Sequence, residues 1–337
     1  MPAAEGRESA VAVIGGGSWG TALAVVLARG GARVALLVRD PEQARAINRE
    51  GRNPRHLPQI PLPPSIRATV SADEALGAAR LIVYALPCAA LPAALDTIAA
   101  LGGDAPVIAA CKGLHHPSGL RVDEMVRQAV GVERTLLLSG PSFAGEVATG
   151  APTAITLAAA ELARAEQTAR WFAPTTFRIY PHDDLIGVAL GGALKNVIAI
   201  AAGIADGLGL GHNAMAALIT RGMQEINRLA VAYGARPRTL YGLSGLGDLV
   251  LTCTGEASRN RRLGRALAGG ATPQEARAAI GEVTEGAESA RTALALAERK
   301  GCDAPIIATV CRILDGVWSC RQGLDALLAR PERAEFS

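Results

Sequence analysis

The chain has 337 residues, of which 50% are hydrophobic, 19% charged and 3% aromatic, and its formal net charge is +3. This length accommodates two domains, and the composition is typical of a well-buried α/β protein. The low net charge and the scarcity of aromatic side chains argue against a nucleic-acid-binding surface. The polar N-terminus lacks the apolar core of a signal peptide, and the cysteines and histidines show no metal-binding spacing. We therefore expect a cytoplasmic protein with reduced cysteines, no metal site and no membrane insertion.

The first predicted strand, 10–14, leads into a glycine-rich turn and a helix over 21–28. The turn GGGSWG, at 15–20, has the G-x-G-x-x-G spacing, and its position between strand and helix strengthens that weak motif. Gly15 would form the tight turn, Gly17 would let the backbone approach a pyrophosphate, and Gly20 would let helix and strand pack closely. The helix N-terminus would add free N–H groups for the phosphates. These features predict a dinucleotide site.

The second predicted strand, 33–38, is followed by Arg39 and Asp40. An acid at this strand end favours the ribose hydroxyl of NAD, whereas an arginine accommodates the 2′-phosphate of NADP. Because Arg39 comes first, we expect NADP(H) to be preferred and NAD(H) also to be accepted. In the alternative interpretation, Arg39 only stacks on the adenine.

Further apolar runs predict strands at 81–86, 106–111, 135–138, 154–157 and 177–180, while 51–66 is a proline-rich surface loop. Lys112 follows one of these strands and is assigned to the site, because ligands bind beyond the carboxyl ends of strands in open α/β sheets. Residues after 181 show almost no strand pattern. The predicted fold is therefore a Rossmann-type doubly wound sheet over 1–184, followed by an all-α domain over 185–337.

The second domain opens with a long apolar helix, predicted over 190–210, whose central charge is Lys195. A buried ammonium needs a partner or a ligand, because burying it unpaired is costly. Gly191 and Gly192 share its helix face. One interpretation is that the glycines leave space for a substrate on which Lys195 acts as an acid and base. The other is that the glycines allow tight packing and the lysine extends to solvent.

Two polar groups follow in the helical half. Asp248 follows flexible glycines and precedes an apolar run, so it could cap a helix or pair with Lys195. Ser258 is a candidate N-cap, and Arg259 and Asn260 would lie in the first turn of the next helix. This helix start could bind a phosphate, although a solvated basic face is the alternative.

Together these features suit hydride transfer to a ketone on a small phosphorylated substrate. The Lys195 ammonium would protonate the developing alkoxide, Asp248 would orient Lys195, and the remote phosphate would hold the carbonyl against the nicotinamide.

The motifs resemble those of the bacterial-type NAD(P)-dependent glycerol-3-phosphate dehydrogenases. They are GGGSWGTALA at 15–24, CKG at 111–113, SGPSFAGEV at 139–147, GGALKNVIAIAAGIADGLGLGHNAMAALITRG at 191–222, GLGDLVLTCTGEASRNRRLG at 245–264 and VTEG at 283–286. Gly255 and Cys88 stand where this family usually has serine.

The resemblance implies a fold like that of 6-phosphogluconate dehydrogenase, a cytosolic homodimer and a role in glycerophospholipid synthesis. It implies interconversion of dihydroxyacetone phosphate and sn-glycerol 3-phosphate, with Lys195 as the proton donor and acceptor. It also implies substrate contacts at Lys112, Gly140, Ser142, Asp248, Ser258, Arg259 and Asn260. The implied cofactor contacts are Ser18, Trp19, Arg39, Lys112, Ala144, Arg259, Val283 and Glu285.

Two alternatives remain at this point. A β-hydroxyacid or ketopantoate-type dehydrogenase would share the architecture and the lysine but would bind a carboxylate. A non-catalytic NADP-binding sensor would leave Lys195 and the helix start at Ser258, Arg259 and Asn260 without a role.

Overall fold

The computed structural model describes residues 10–281, 284–332 and 334. One eight-stranded sheet occupies the first part of the chain. Its strands are β1 (Ala10–Ile14), β2 (Arg33–Leu37), β3 (Ile66–Thr69), β4 (Ala79–Tyr84), β5 (Val107–Ala109), β6 (Thr135–Ser139), β7 (Thr153–Ala159) and β8 (Phe177–His182). The helices between them are α1 (Ser18–Arg29), α2 (Pro41–Glu50), α3 (Ala72–Leu76), α4 (Leu91–Leu101), α5 (Val122–Val130), α6 (Ala144–Thr149) and α7 (Leu162–Ala169).

The strand order is β3-β2-β1-β4-β5-β6-β7-β8, and every neighbouring pair is parallel except β6 and β7. Val11, Ala12 and Val13 of β1 are fully buried, as expected for a central strand covered by helices on both faces. Strand β1 has β2 on one side and β4 on the other, so the direction in which successive strands are added reverses at β1. At such a reversal a crevice opens beyond the carboxyl ends of the strands. The prediction of a Rossmann-type doubly wound sheet is confirmed.

The sequence interpretation missed one strand. β3 begins at Ile66, at the end of the segment predicted as a loop, and pairs in parallel with β2. Its four residues follow a proline-rich stretch and carry too short an apolar pattern to be distinguished without the neighbouring strand.

The rest of the described chain is helical, and within the described residues no strand follows His182. The helices are α8 (Leu185–Gly207), α9 (Gly211–Ala232), α10 (Pro237–Leu240), α11 (Asp248–Thr254), α12 (Arg259–Ala268), α13 (Pro273–Ile280), α14 (Glu285–Arg299), α15 (Pro305–Leu314) and α16 (Cys320–Leu328). A π-helical turn, Leu243–Gly247, leads directly into α11. The predicted all-α second part is confirmed, whereas the domain boundary at 184/185 stays a prediction.

Helix α8 is the central element of this helical part. Leu190, Leu194 and Val197 are fully buried and belong to its hydrophobic core. The helix begins five residues earlier than predicted, because Asp184 caps it by accepting a hydrogen bond from the Gly187 N–H at 2.9 Å. By length and composition this helix could cross a membrane, but 78% of its apolar 18-residue segment is buried inside the fold.

Candidate active site

Two lysines and one aspartate from three distant segments meet beyond the carboxyl end of β5. Lys195 lies on α8, Asp248 is the first residue of α11, and Lys112 follows β5. The Lys195 Nζ donates to Asp248 Oδ1 at 2.5 Å, and the Lys112 Nζ donates to Asp248 Oδ2 at 2.6 Å. The Asp248 side chain is only 1% exposed and that of Lys195 only 7%. Asp248 therefore turns inward and pairs with Lys195, which was one of its two predicted roles.

Thr252 fixes the direction of the Lys195 ammonium. The Lys195 Nζ donates to Thr252 Oγ1 at 2.8 Å, and that hydroxyl donates to the Asp248 carbonyl at 2.6 Å. An ammonium has three donors, so these two contacts leave one donor for a further acceptor. Sequence reasoning missed Thr252, although its position four residues after Asp248 places both on one face of α11.

The surroundings of Lys195 change its proton affinity. Burial is the largest cause and lowers the pKa of Lys195 to about 8. Asp248 opposes this shift, and the nearby positive charge of Lys112 adds to it. A group with a pKa near 8 exists in both protonation states close to neutral pH, as an acid and base catalyst requires.

The glycines beside Lys195 do not leave space for a substrate, so that part of the sequence interpretation is wrong. A Cβ atom at Gly191 would lie 2.8 Å from the Ser244 carbonyl oxygen, and one at Gly192 would lie 2.7 Å from Ser139 Oγ. The space is filled by the π-helical turn and by the end of β6. These glycines allow close packing against α8, which places Lys195 beside Asp248.

The glycine-rich turn after β1 fits a dinucleotide phosphate group. Gly15 has a φ of +119°, and a Cβ atom at Gly20 would lie 1.8 Å from the Gly15 carbonyl oxygen. By contrast, nothing lies within 4 Å of a Cβ atom built at Gly17, so the backbone there faces open space. The first turn of α1, which begins at Ser18, has no side-chain cap and no acidic residue. Its N–H groups thus suit a pyrophosphate.

Trp19 connects this turn to the lysine cluster. Its indole Nε1 donates to the Ala110 carbonyl at 3.0 Å, two residues before Lys112. The Lys112 Nζ also donates to the Gly140 carbonyl at 2.8 Å, and the Ser142 hydroxyl donates to the same oxygen at 3.0 Å. Hydrogen bonds therefore connect Lys112 with Gly140 and Ser142, and Trp19 lies beside them through Ala110. Ala144 begins helix α6 just after Ser142 in the chain.

The predicted phosphate anchor has a different arrangement from the one the sequence suggested. Ser258 caps α12 as predicted, with its hydroxyl accepting from the Arg261 N–H at 3.2 Å, and Arg259 is exposed. The Asn260 amide is buried, and its Nδ2 donates to Asn196 Oδ1 at 3.0 Å. Its Oδ1 accepts from the Gly286 N–H at 3.1 Å. Asn260 thus joins three helices next to Lys195.

Glu285 begins α14 and reaches across to the sheet. Its Oε1 accepts from the Cys88 N–H at 3.3 Å. Burial raises the pKa of Glu285 to about 7, against the opposing effects of the Cys88 N–H and the nearby Arg259, Lys112 and Lys195. Val283, predicted with it as a cofactor contact, lies outside the described residues.

Arg39 is not brought to the lysine cluster. It is exposed beyond the end of β2, next to Asp40, which caps α2. This position corresponds to the adenosine end of a dinucleotide bound along the crevice. Across the described residues, no group of three or more histidine, cysteine or acidic side chains is placed to hold a metal ion.

A Rossmann-type sheet, a glycine-rich turn suited to a pyrophosphate and a buried lysine on a second, helical part are typical of a nicotinamide-dependent dehydrogenase. The family models described as the N-terminus and the C-terminus of NAD-dependent glycerol-3-phosphate dehydrogenase match residues 10–165 and 184–325. The chain belongs to the NAD-dependent glycerol-3-phosphate dehydrogenase family.

Individual relatives agree with this assignment. The chain is 49% identical over 328 residues to glycerol-3-phosphate dehydrogenase [NAD(P)+] of Thioalkalivibrio sulfidiphilus, covering 97% of this chain and 98% of that relative. It is 46% identical over 329 residues to the enzyme of the same name from Halorhodospira halophila, covering 97% of this chain and 99% of that relative. The crystal structure of glycerol-3-phosphate dehydrogenase from Coxiella burnetii matches with a TM-score of 0.90 and 39% identity, covering 96% of this chain and all of that one.

A more distant likeness reflects the fold alone. A ketopantoate reductase from Ralstonia eutropha matches with a TM-score of 0.61 and 14% identity, covering 94% of this chain and 99% of that chain.

Proposed function

We propose that this chain catalyses reversible hydride transfer between NAD(P)H and dihydroxyacetone phosphate, giving sn-glycerol 3-phosphate. Family membership supports the reaction. The observation that carries the mechanism is the Lys195 ammonium, buried beside Asp248 and Thr252 with one donor remaining. A bound nicotinamide supplies the hydride.

Lys195 performs the proton transfer. In the direction of reduction, its remaining N–H donates to the substrate carbonyl oxygen, and the proton moves to that oxygen as negative charge develops on it. In the direction of oxidation, the neutral amine accepts the hydroxyl proton. Asp248 and Thr252 hold the nitrogen in place, and Asp248 also stabilises the charged form of the lysine.

The cluster leaves a positive environment for an anionic substrate. Lys112 and Lys195 carry two positive charges against Asp248, and the nearby Glu285, with its pKa raised to about 7, is only partly ionised at neutral pH. Together with the exposed Arg259 at the start of α12, this charge balance favours a phosphorylated substrate. Lys112, Gly140, Ser142, Ser258 and Asn260 surround or support the same region and are proposed as its substrate-binding residues.

The cofactor contacts are proposed from the same geometry. The turn at Gly15, Gly17, Ser18, Trp19 and Gly20 would hold the pyrophosphate, and Ala144 and Glu285 would lie towards the nicotinamide. Arg39 would bind the ribose 2′-phosphate, which makes NADP(H) the preferred cofactor while NAD(H) is still accepted.

The biological setting is proposed from the family resemblance. We infer a cytoplasmic homodimer that supplies glycerophospholipid synthesis. Residues 1–184 form its dinucleotide-binding domain and 185–337 its helical substrate-binding and catalytic domain, with Lys112, Gly140 and Ser142 contributed to the substrate site by the first domain.

The test is the loss of NADPH absorbance after dihydroxyacetone phosphate is added to purified protein, with NADH and ketopantoate as parallel reactions. Rapid oxidation with dihydroxyacetone phosphate supports the proposal. Turnover with ketopantoate alone would keep the lysine mechanism and overturn the assignment of the anion site.

A further inference from the structure

Asp40 has a protein partner at each of its two carboxylate oxygens. This acid follows β2 and lies where a carboxylate could accept a hydrogen bond from the ribose hydroxyl of NAD. Its Oδ1 instead accepts from the Glu42 N–H at 2.8 Å, capping α2, and its Oδ2 is paired with the Arg55 Nη2 at 2.5 Å. Each oxygen therefore has one protein partner, and the negative charge of the carboxylate is paired with the Arg55 guanidinium.

Arg55 is placed there by a loop that is anchored to the glycine-rich turn. Asn53 is completely buried, and its Nδ2 donates to the Gly16 carbonyl at 2.9 Å and to the Thr21 hydroxyl at 2.8 Å. Its Oδ1 accepts from the Arg55 N–H at 3.3 Å. The position of the Arg55 backbone is therefore set by the phosphate-binding turn itself.

The Arg55 side chain retains capacity for a ligand. It is 54% exposed, and a guanidinium carries five N–H donors, of which the ion pair with Asp40 uses the Nη2 group. Arg39, one residue before Asp40, is also exposed. Two exposed arginines thus lie near the end of β2, one beside Asp40 in the chain and one paired with its carboxylate.

We propose that Arg55 is a second determinant of cofactor choice, acting with Arg39 on the ribose 2′-phosphate. This inference rests on the proposed function. Arg55 favours a 2′-phosphate because its guanidinium pairs with Asp40 and offsets the repulsion between that carboxylate and the phosphate. Its remaining donors bind the phosphate oxygens directly.

The test compares Arg55→Ala with Arg52→Ala. Arg52 is a matched control because it belongs to the same loop, is exposed, and makes only a long contact of 3.4 Å to the Pro58 carbonyl. The kcat/KM for NADPH and for NADH is measured with dihydroxyacetone phosphate at one fixed concentration. We expect the NADPH-to-NADH ratio to fall about tenfold or more in Arg55→Ala, as for the loss of a charge-assisted hydrogen bond. In Arg52→Ala the ratio stays within about twofold of the wild type, because only screened surface charge is lost.

A binding measurement separates this inference from the proposed function. Isothermal titration with adenosine 2′,5′-bisphosphate and with AMP needs no turnover. Arg55→Ala should weaken binding of the bisphosphate about tenfold and leave AMP binding unchanged. An unchanged preference ratio together with unchanged bisphosphate binding would overturn the role of Arg55, even in a fully active enzyme. Absent turnover in the wild type would instead count against the proposed function while the titration still tests Arg55.

Discussion

The Asp248→Asn variant tests the central ion-pair cluster most directly. Asparagine keeps the shape of the side chain but removes its charge, so the formal charge of the cluster of two lysines and one acid rises from +1 to +2. One lysine would also face an amide N–H₂ group instead of an acceptor. Removing an opposite charge at this distance lowers a lysine pKa by about 1–3 units. The pKa of Lys195, about 8 in the wild type, should therefore fall.

The expected loss of rate follows from the protonated fraction. Reduction requires the ammonium form, so activity is lost as the pH rises through the pKa of Lys195. At pH 7.5 about three-quarters of a group with a pKa near 8 is protonated, and lowering that pKa by about 2, the middle of the expected range, would leave about 3% protonated. Protonation alone should therefore reduce kcat/KM for reduction about twentyfold at this pH, and the high-pH limb should move about two units lower.

The assay is kcat/KM for dihydroxyacetone phosphate reduction between pH 5.5 and 9.5, at saturating NADPH. Asp206→Asn is the control, since Asp206 lies near the end of α8 and pairs with Arg261 at 3.0 Å instead of with Lys195. Removing one partner of a buried pair costs about 3–5 kcal/mol of stability, so circular dichroism must show that the variant is folded. A folded Asp248→Asn enzyme with an unmoved high-pH limb would refute the assignment of Lys195 as the titrating acid.

Three further predictions follow from the same geometry. Lys195→Met should lower kcat about 10²–10⁴-fold while NADPH binding, followed by its fluorescence, is retained; near-normal turnover would exclude Lys195 as the acid. Gly203→Ala should lower the free energy of unfolding by about 1–3 kcal/mol or more in urea, because the new Cβ atom would lie 2.0 Å from the Arg261 carbonyl oxygen; an unchanged midpoint would contradict the close contact between α8 and α12. Ser258→Ala removes the cap of α12 and should cost about 1 kcal/mol, measured by thermal unfolding, and Ser258→Asn should restore most of it.

Local patterns were sufficient for much of the fold. The apolar run of β1, the glycine spacing after it and the long apolar α8 were all recognisable, because strand and helix periodicity and turn chemistry depend on residues close in the chain. The lysine inside α8 was recognisable as a functional candidate for the same reason. A charge in the middle of a buried helix violates the local pattern, and such violations concentrate at functional sites.

The tertiary structure decided which groups meet. Asp248 lies 53 residues after Lys195, and the sequence allowed it either to cap a helix or to pair with the lysine. Only the packing of α11 against α8 selected the pair and added Thr252. The π-helical turn and the end of β6 fill the space beside Gly191 and Gly192 with protein, not with substrate. Sequence alone therefore determined most of the elements and the unusual buried charge, whereas β3 and the partners of that charge depended on long-range contacts that no local pattern encodes.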